Sequence, residues 1–169
     1  MLYILSMKFR ISYIVLPVLL LTHISGCNRN PIRLEGLMDF HGIVVTDAAG
    51  NIIQDIPVEW VPRAGTGLFH LSIAPPYPNP SEGTIRFRFS VRDLSIVTFT
   101  LFRNLKDSGS QINRQMVDYG AYDWTYDFTD PETDTLLEDG IYRIVISAET
   151  ADERIYSIAG NIQKRRQPD

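Results

Sequence analysis

The chain has 169 residues, 44% hydrophobic, 21% charged and 11% aromatic, with a net charge of −4 and a single cysteine. That is enough apolar side chain for one ordinary core and too much for a disordered chain. One cysteine excludes an intrachain disulfide and any multi-cysteine zinc or iron–sulfur site, and the acidic balance argues against a dedicated nucleic-acid binder.

The first predicted element is an address. Met7-Lys8-Phe9-Arg10 is a short basic segment, with the start open between Met1 and Met7, and Ile11 to Leu21 is apolar apart from Ser12 and Pro17. The run is short for a membrane-spanning helix and suits the apolar region of a signal peptide. Ile24-Ser25-Gly26-Cys27 comes next, with two small residues directly before the lone cysteine. This stretch resembles a bacterial lipobox. The resemblance implies a signal peptide over residues 1–26, a lipid thioether on Cys27 and a chain held to a membrane through that acyl group. The plainer reading is a signal cut elsewhere, with Cys27 an incidental thiol. Lys8 and Arg10 would leave with the signal, so 14 basic residues would face 20 acidic ones and the net charge would become −6. Asn28 is not the Asp that retains such lipoproteins at the inner membrane, so the resemblance favours the outer membrane, facing either the periplasm or the exterior.

Residues 27–67 read as a tether and a short β-hairpin. Gly42 to Thr46 is a β-branched run, Asp47-Ala48-Ala49-Gly50-Asn51 is a turn, and Ile52 to Val58 resumes the extended pattern. Pro57 should end the second arm or hold it at an edge. Trp60 lies outside any period and is expected to seal the hairpin against the strands C-terminal to it. Arg63 to Gly67 is a Gly-rich linker.

Residues 68–166 predict strands throughout. Ile85, Phe87, Phe89 and Val91 alternate with Thr84, Arg86, Arg88 and Ser90. Val97, Phe99 and Leu101 repeat the pattern, and so do Tyr122, Trp124, Tyr126 and Phe128, then Tyr142, Ile144, Ile146 and Ala148. Gln111 to Val117 is a weaker strand, Glu149 to Asp152 a turn, and Ile155 to Ile162 a last strand. Short alternating strands separated by turns indicate an all-β fold, an antiparallel immunoglobulin-like β-sandwich preceded by a short hairpin, with a tail at 167–169.

Tyr77-Pro78-Asn79-Pro80 before the first long strand, Val97 to Phe102, Trp124-Thr125-Tyr126-Asp127, and Asp139-Gly140-Ile141-Tyr142 stand in one order. In that order residues 68–166 resemble the immunoglobulin-like domain of flagellar hook-capping proteins and, in related form, the C-terminal sorting domain of type IX secretion cargo. The resemblance gives Tyr77, Pro78, Asn79, Pro80, Trp124, Gly140 and Tyr142 scaffold roles. On the residues alone, the prolines stiffen an entry segment, Gly140 permits a tight turn and Tyr142 packs inward with its hydroxyl at the rim. Lys164-Arg165-Arg166 after the last strand also has a counterpart in the sorting domains.

No catalytic set is legible. His41 and His70 read as edge or surface residues, and no G-x-S-x-G elbow is present. Asp130, Glu132 and Asp134 are weak candidates for calcium ligands, but the spacing of a calcium loop is missing and Pro131 stiffens the middle. The plainer reading is a solvated acidic loop, with no metal and no cofactor. The expected function is non-enzymatic: a lipid-anchored module of the bacterial envelope with a protein partner and no nucleic acid. The alternatives are a sorting-type domain without cargo, or a calcium- or carbohydrate-binding accessory.

Overall fold

The computed structural model describes residues 42–56, 59–60 and 70–166. The signal segment, Cys27, Asn28, His41, Pro57, the Arg63–Gly67 linker and the tail at 167–169 lie outside the described residues. Every regular element among the described residues is a strand. They are β1 (Val45–Thr46), β2 (Ile52–Gln54), β3 (Leu71–Ile73), β4 (Ile85–Val91), β5 (Ser95–Phe102), β6 (Ser110–Val117), β7 (Gly120–Tyr126), β8 (Gly140–Thr150) and β9 (Ile155–Lys164). No helix among the described residues is long and apolar enough to cross a membrane.

Alternation in the sequence becomes two faces in the fold. Ile85, Phe87, Phe89 and Val91 of β4 are buried while Arg86 and Arg88 are exposed. Val97, Phe99 and Leu101 of β5 face them. One sheet has the order β3-β4-β7 and the other β6-β5-β8-β9. β4 pairs antiparallel with β7 from Ile85↔Tyr126 to Val91↔Gly120, and β5 with β8 from Ser95↔Thr150 to Phe102↔Arg143. The chain changes sheet after β4, after β6 and after β7. This interlocked antiparallel sandwich, preceded by the β1–β2 hairpin, is the immunoglobulin-like fold read from the sequence. Tyr142, near the start of β8, donates its hydroxyl to the Glu138 carbonyl at 2.6 Å. That is the tyrosine corner of such sandwiches.

Aromatic rings fill the centre. Phe99 meets Phe87 and Phe89 edge-on, each with centroids 5.5 Å apart, and Trp124 at 4.5 Å. Trp124 faces the core as predicted, but β7 is an edge strand and the indole stays half-buried. Trp124→Ala should therefore cost about 2–3 kcal/mol, below the ~3–5 of a fully buried aromatic, and Thr125→Ala within about 0.5. Urea midpoints check this, and equal values for the two variants would put the strand the wrong way round. β7 ends at Tyr126, so Phe128 is buried from a left-handed turn position (φ 59°) rather than from the strand.

The β1–β2 turn is built by its first residue. Asp47 Oδ1 accepts the Ala49 and Asn51 amides at 2.9 and 2.8 Å, and Oδ2 accepts from the Asn51 side chain at 2.8 Å. The Asn51 side chain is the main reason the Asp47 carboxyl lies below its ordinary range. β1 then docks on the Tyr-Pro-Asn-Pro segment, whose Tyr77–Pro78 and Asn79–Pro80 bonds are both cis. Thr46 N donates to Asn79 O at 2.9 Å, and Thr46 Oγ1 to Pro76 O at 2.8 Å.

Two glycines differ from their sequence reading. Gly140 needs no left-handed backbone, and a Cβ there would make only ordinary contact with Tyr142 at 3.9 Å, so the expected tight-turn role does not hold. Gly160, which no motif singled out, would put a Cβ 2.1 Å from the Trp60 ring.

Candidate functional site

β9 is the last strand of its sheet, yet its outward edge is not free. Trp60 N donates to Ala159 O at 3.0 Å, and the Asn161 amide donates to a Glu59 carboxylate oxygen. Asn161 O accepts from the Asn79 side chain at 3.1 Å, and Gln163 N donates to Asn79 Oδ1 at 2.8 Å. Ser81 N donates to Gln163 O at 2.9 Å, and Arg165 N donates to Ser81 O at 2.9 Å. Two segments far away in sequence thus satisfy the edge where a partner strand would otherwise lie. Tyr77 to Ser81 makes this reach by changing sheets: Tyr77 pairs with Arg86 of β4, and Ser81 with Lys164 of β9.

A polar network sits beneath that edge. Arg143 of β8 and Asn161 of β9 are register partners, and both are fully buried. Arg143 donates to Glu59 at 2.6 Å and to Asn161 Oδ1 at 3.0 Å. The Glu59 and Arg143 side chains are each only 1% exposed. Asn161 Nδ2 donates to Gly42 O at 2.7 Å, and Asn79 Nδ2 to Val44 O at 2.9 Å, tying the start of the hairpin to the same network.

Trp60 follows Glu59 and turns the other way, into the core. Its ring lies over Gly160 and edge-on to Phe87 at 6.1 Å. The expectation that Trp60 seals the N-terminal segment against the sandwich is met, with the indole inside the sandwich. Burying an indole removes about 150–250 Å² from water, worth about 4–6 kcal/mol. Two costs oppose it. Trp60 Nε1 is buried and has no hydrogen-bond partner among the described residues, which costs about 1–3 kcal/mol. The backbone at Trp60 is left-handed (φ 59°), about 1–3 kcal/mol for a bulky residue. The ion pair adds little net attraction, because desolvating both ions offsets it. Glu59–Trp60 is therefore specific in chemistry and modest in grip.

His70 directly precedes the edge strand β3, as the edge reading expected, but it is buried rather than at the surface. Its Nε2 is 3.0 Å from Ser95 Oγ, its Nδ1 is 3.5 Å from Asp93 Oδ2, and its ring stacks on Tyr156 at 4.7 Å. Ser, His and Asp stand in triad order, but Ser95 donates its hydroxyl hydrogen to the Asp93 carbonyl at 2.8 Å. With that hydrogen directed to the carbonyl and away from the imidazole, Ser95 is not placed as a nucleophile that His70 activates. Ser95 is also only 2% exposed. The cluster ties the start of β5 to the residue before β3. Sequence order could not show it, since His70 lies 25 residues from Ser95.

The acidic loop is divided among local partners. Asp130 is buried rather than solvated, pairs with Arg103 at 2.6 Å, and accepts the Glu132 amide at 2.9 Å. Glu132 accepts from Ser110 Oγ at 3.1 Å, and Asp134 is exposed in a left-handed turn. No group of three or more His, Cys, Asp or Glu side chains among the described residues is placed to hold a metal ion.

Two buried phenols set an alkaline limit. Burial pushes the Tyr126 and Tyr142 hydroxyls above the ordinary value, with nearby carboxylates adding to it. Tyr126 donates to Thr129 O at 2.8 Å. A raised folded value means that the unfolded chain ionises first. Their contribution is complete below about pH 10 and is lost as pH rises toward the folded values. Urea midpoints should fall as pH rises above about 10, and Tyr126→Phe combined with Tyr142→Phe should flatten that fall. An unchanged slope in the double variant would locate the alkaline sensitivity elsewhere.

No family model matches this sequence, and no curated protein matches it either. Among solved structures it is similar to the soluble domain of PmoD from Methylocystis sp. ATCC 49242 (Rockwell), at 10% identity and a TM-score of 0.36, over 52% of this chain and 76% of that one.

Proposed function

We propose that this chain is a non-enzymatic, membrane-tethered interaction module of the bacterial cell envelope, an outer-membrane lipoprotein held through an acyl group on Cys27. The observation that carries the reading is the apolar run that ends in Ile24-Ser25-Gly26-Cys27, with the lone cysteine at the position such a signal requires. A lipid there anchors through its buried methylenes, at about 0.8 kcal/mol each. The order of Tyr77-Pro78-Asn79-Pro80, Trp124 and Gly140-Ile141-Tyr142 supports likeness to the immunoglobulin-like modules of hook-capping and sorting proteins. Buried polar groups of the sandwich are occupied with one another: His70 with Ser95, Asp130 with Arg103, Glu59 with Arg143. That pattern suits a scaffold.

The test is Cys27→Ser, followed by membrane fractionation and mass spectrometry of the N-terminus. The wild-type chain should pellet with membranes and carry an acylated Cys27, and the variant should be released. A serine variant that stays with the membrane, or a wild-type N-terminus without lipid, refutes the anchor. Crosslinking in intact cells followed by pull-down through the native anchor then identifies the protein partner.

A further inference from the structure

We infer that the outer edge of β9 is a peptide-receiving site for a carboxylate followed directly by an indole, filled in cis by Glu59–Trp60, and that the same segment of a second copy of this chain fits it in trans. Three features define what it accepts. The buried Arg143 guanidinium, 1% exposed, requires a carboxylate, which Glu59 brings to 2.6 Å. The space over Gly160 exists only because that residue lacks a Cβ, and it holds a flat ring against Phe87. The Ala159 carbonyl accepts the Trp60 amide and the Asn161 amide donates to a Glu59 carboxylate oxygen, so one backbone bond and one side-chain bond fix the pair on the edge.

The occupant carries marks of a contact that can be released. Trp60 is held in a left-handed backbone, and its buried Nε1 has no hydrogen-bond partner among the described residues. The chemistry that fits the edge is present in the chain's own Glu59–Trp60, so a second copy carries it, and exchange of identical elements between copies is a low-cost route to association. The inference is independent of the lipid anchor and concerns a different part of the chain.

The test uses the full chain carrying Glu59→Gln with Trp60→Ala, titrated with a dye-labelled synthetic peptide of residues 54–62. Fluorescence anisotropy should saturate. The same peptide with alanine in place of its tryptophan should not bind, and wild-type protein should bind the intact peptide at least about tenfold more weakly, because its own segment competes. A folded double variant that leaves the intact peptide free overturns the inference. If the double variant does not fold, native-state hydrogen exchange on the wild-type chain decides. The Asn161 amide and the Trp60 indole should exchange at least about tenfold faster than the amides of β5 and β8, through local opening. Equal rates would mean that the segment leaves only with the whole fold, and the site would not exist.

Discussion

Gly160→Ala is expected to lower stability by about 1–3 kcal/mol, because expelling the Trp60 ring gives up its burial but also relieves its unsatisfied Nε1 and its left-handed backbone, although the substitution adds a single methyl group. The new Cβ would lie 2.1, 2.4 and 2.6 Å from three atoms of the Trp60 ring. The ring cannot give way inward, because Phe87 stands behind it and packs in turn on Phe99. It must leave the slot, which opens the hydrogen bond from Trp60 N to Ala159 O with it. Gly83→Ala is the control: nothing lies within 4 Å of its added Cβ, so its cost should stay within about 0.5 kcal/mol. Chemical denaturation separates the two by midpoint. Equal midpoints would show that Trp60 does not occupy the space over Gly160.

Glu59→Leu is the second large effect, at about 3–5 kcal/mol. It removes the Glu59 carboxylate from the buried Arg143 guanidinium and takes away the acceptor of the Asn161 amide. Arg143→Met alone should cost a similar amount, since Glu59 would then be the stranded ion. Both changes together should recover most of the loss, because an apolar pair replaces two desolvated ions. A double-mutant cycle by urea denaturation reads the coupling directly. Additive single effects would mean that the two side chains do not share one buried site, and the network assigned to the β9 edge would fall with them.

The strand pattern was legible because each long strand keeps at least one face toward the core. β4 is the clear case: its buried and exposed residues alternate as its sequence does. β8 departs from it. Tyr142, Ile144, Ile146 and Ala148 were expected on the inner face and are there, but Arg143 and Val145 on the opposite face are buried too. An arginine between apolar residues reads as a solvated position, and no local period reports that a glutamate 84 positions earlier covers it. The burial of His70 escaped the sequence for the same reason, since its partners come from the β4–β5 turn, the start of β5 and β9.

By itself the sequence determined the all-β class, the order and facing of the long strands and the hairpin with its Asp47 turn, and it supplies the motif behind the lipid site proposed at Cys27. These come from short-range rules: the two-residue period of a strand, turn chemistry within a few residues, and one motif around one cysteine. The tertiary structure alone decided that β9 has a closed edge, that Gly160 is the constrained glycine in place of Gly140, and that Glu59, Asn79, Arg143 and Asn161 form one buried network. Those outcomes depend on pairing between segments up to 102 residues apart. A side chain's local pattern says which way it points, while the burial and partner it finds there are set by the segment that comes to lie across it.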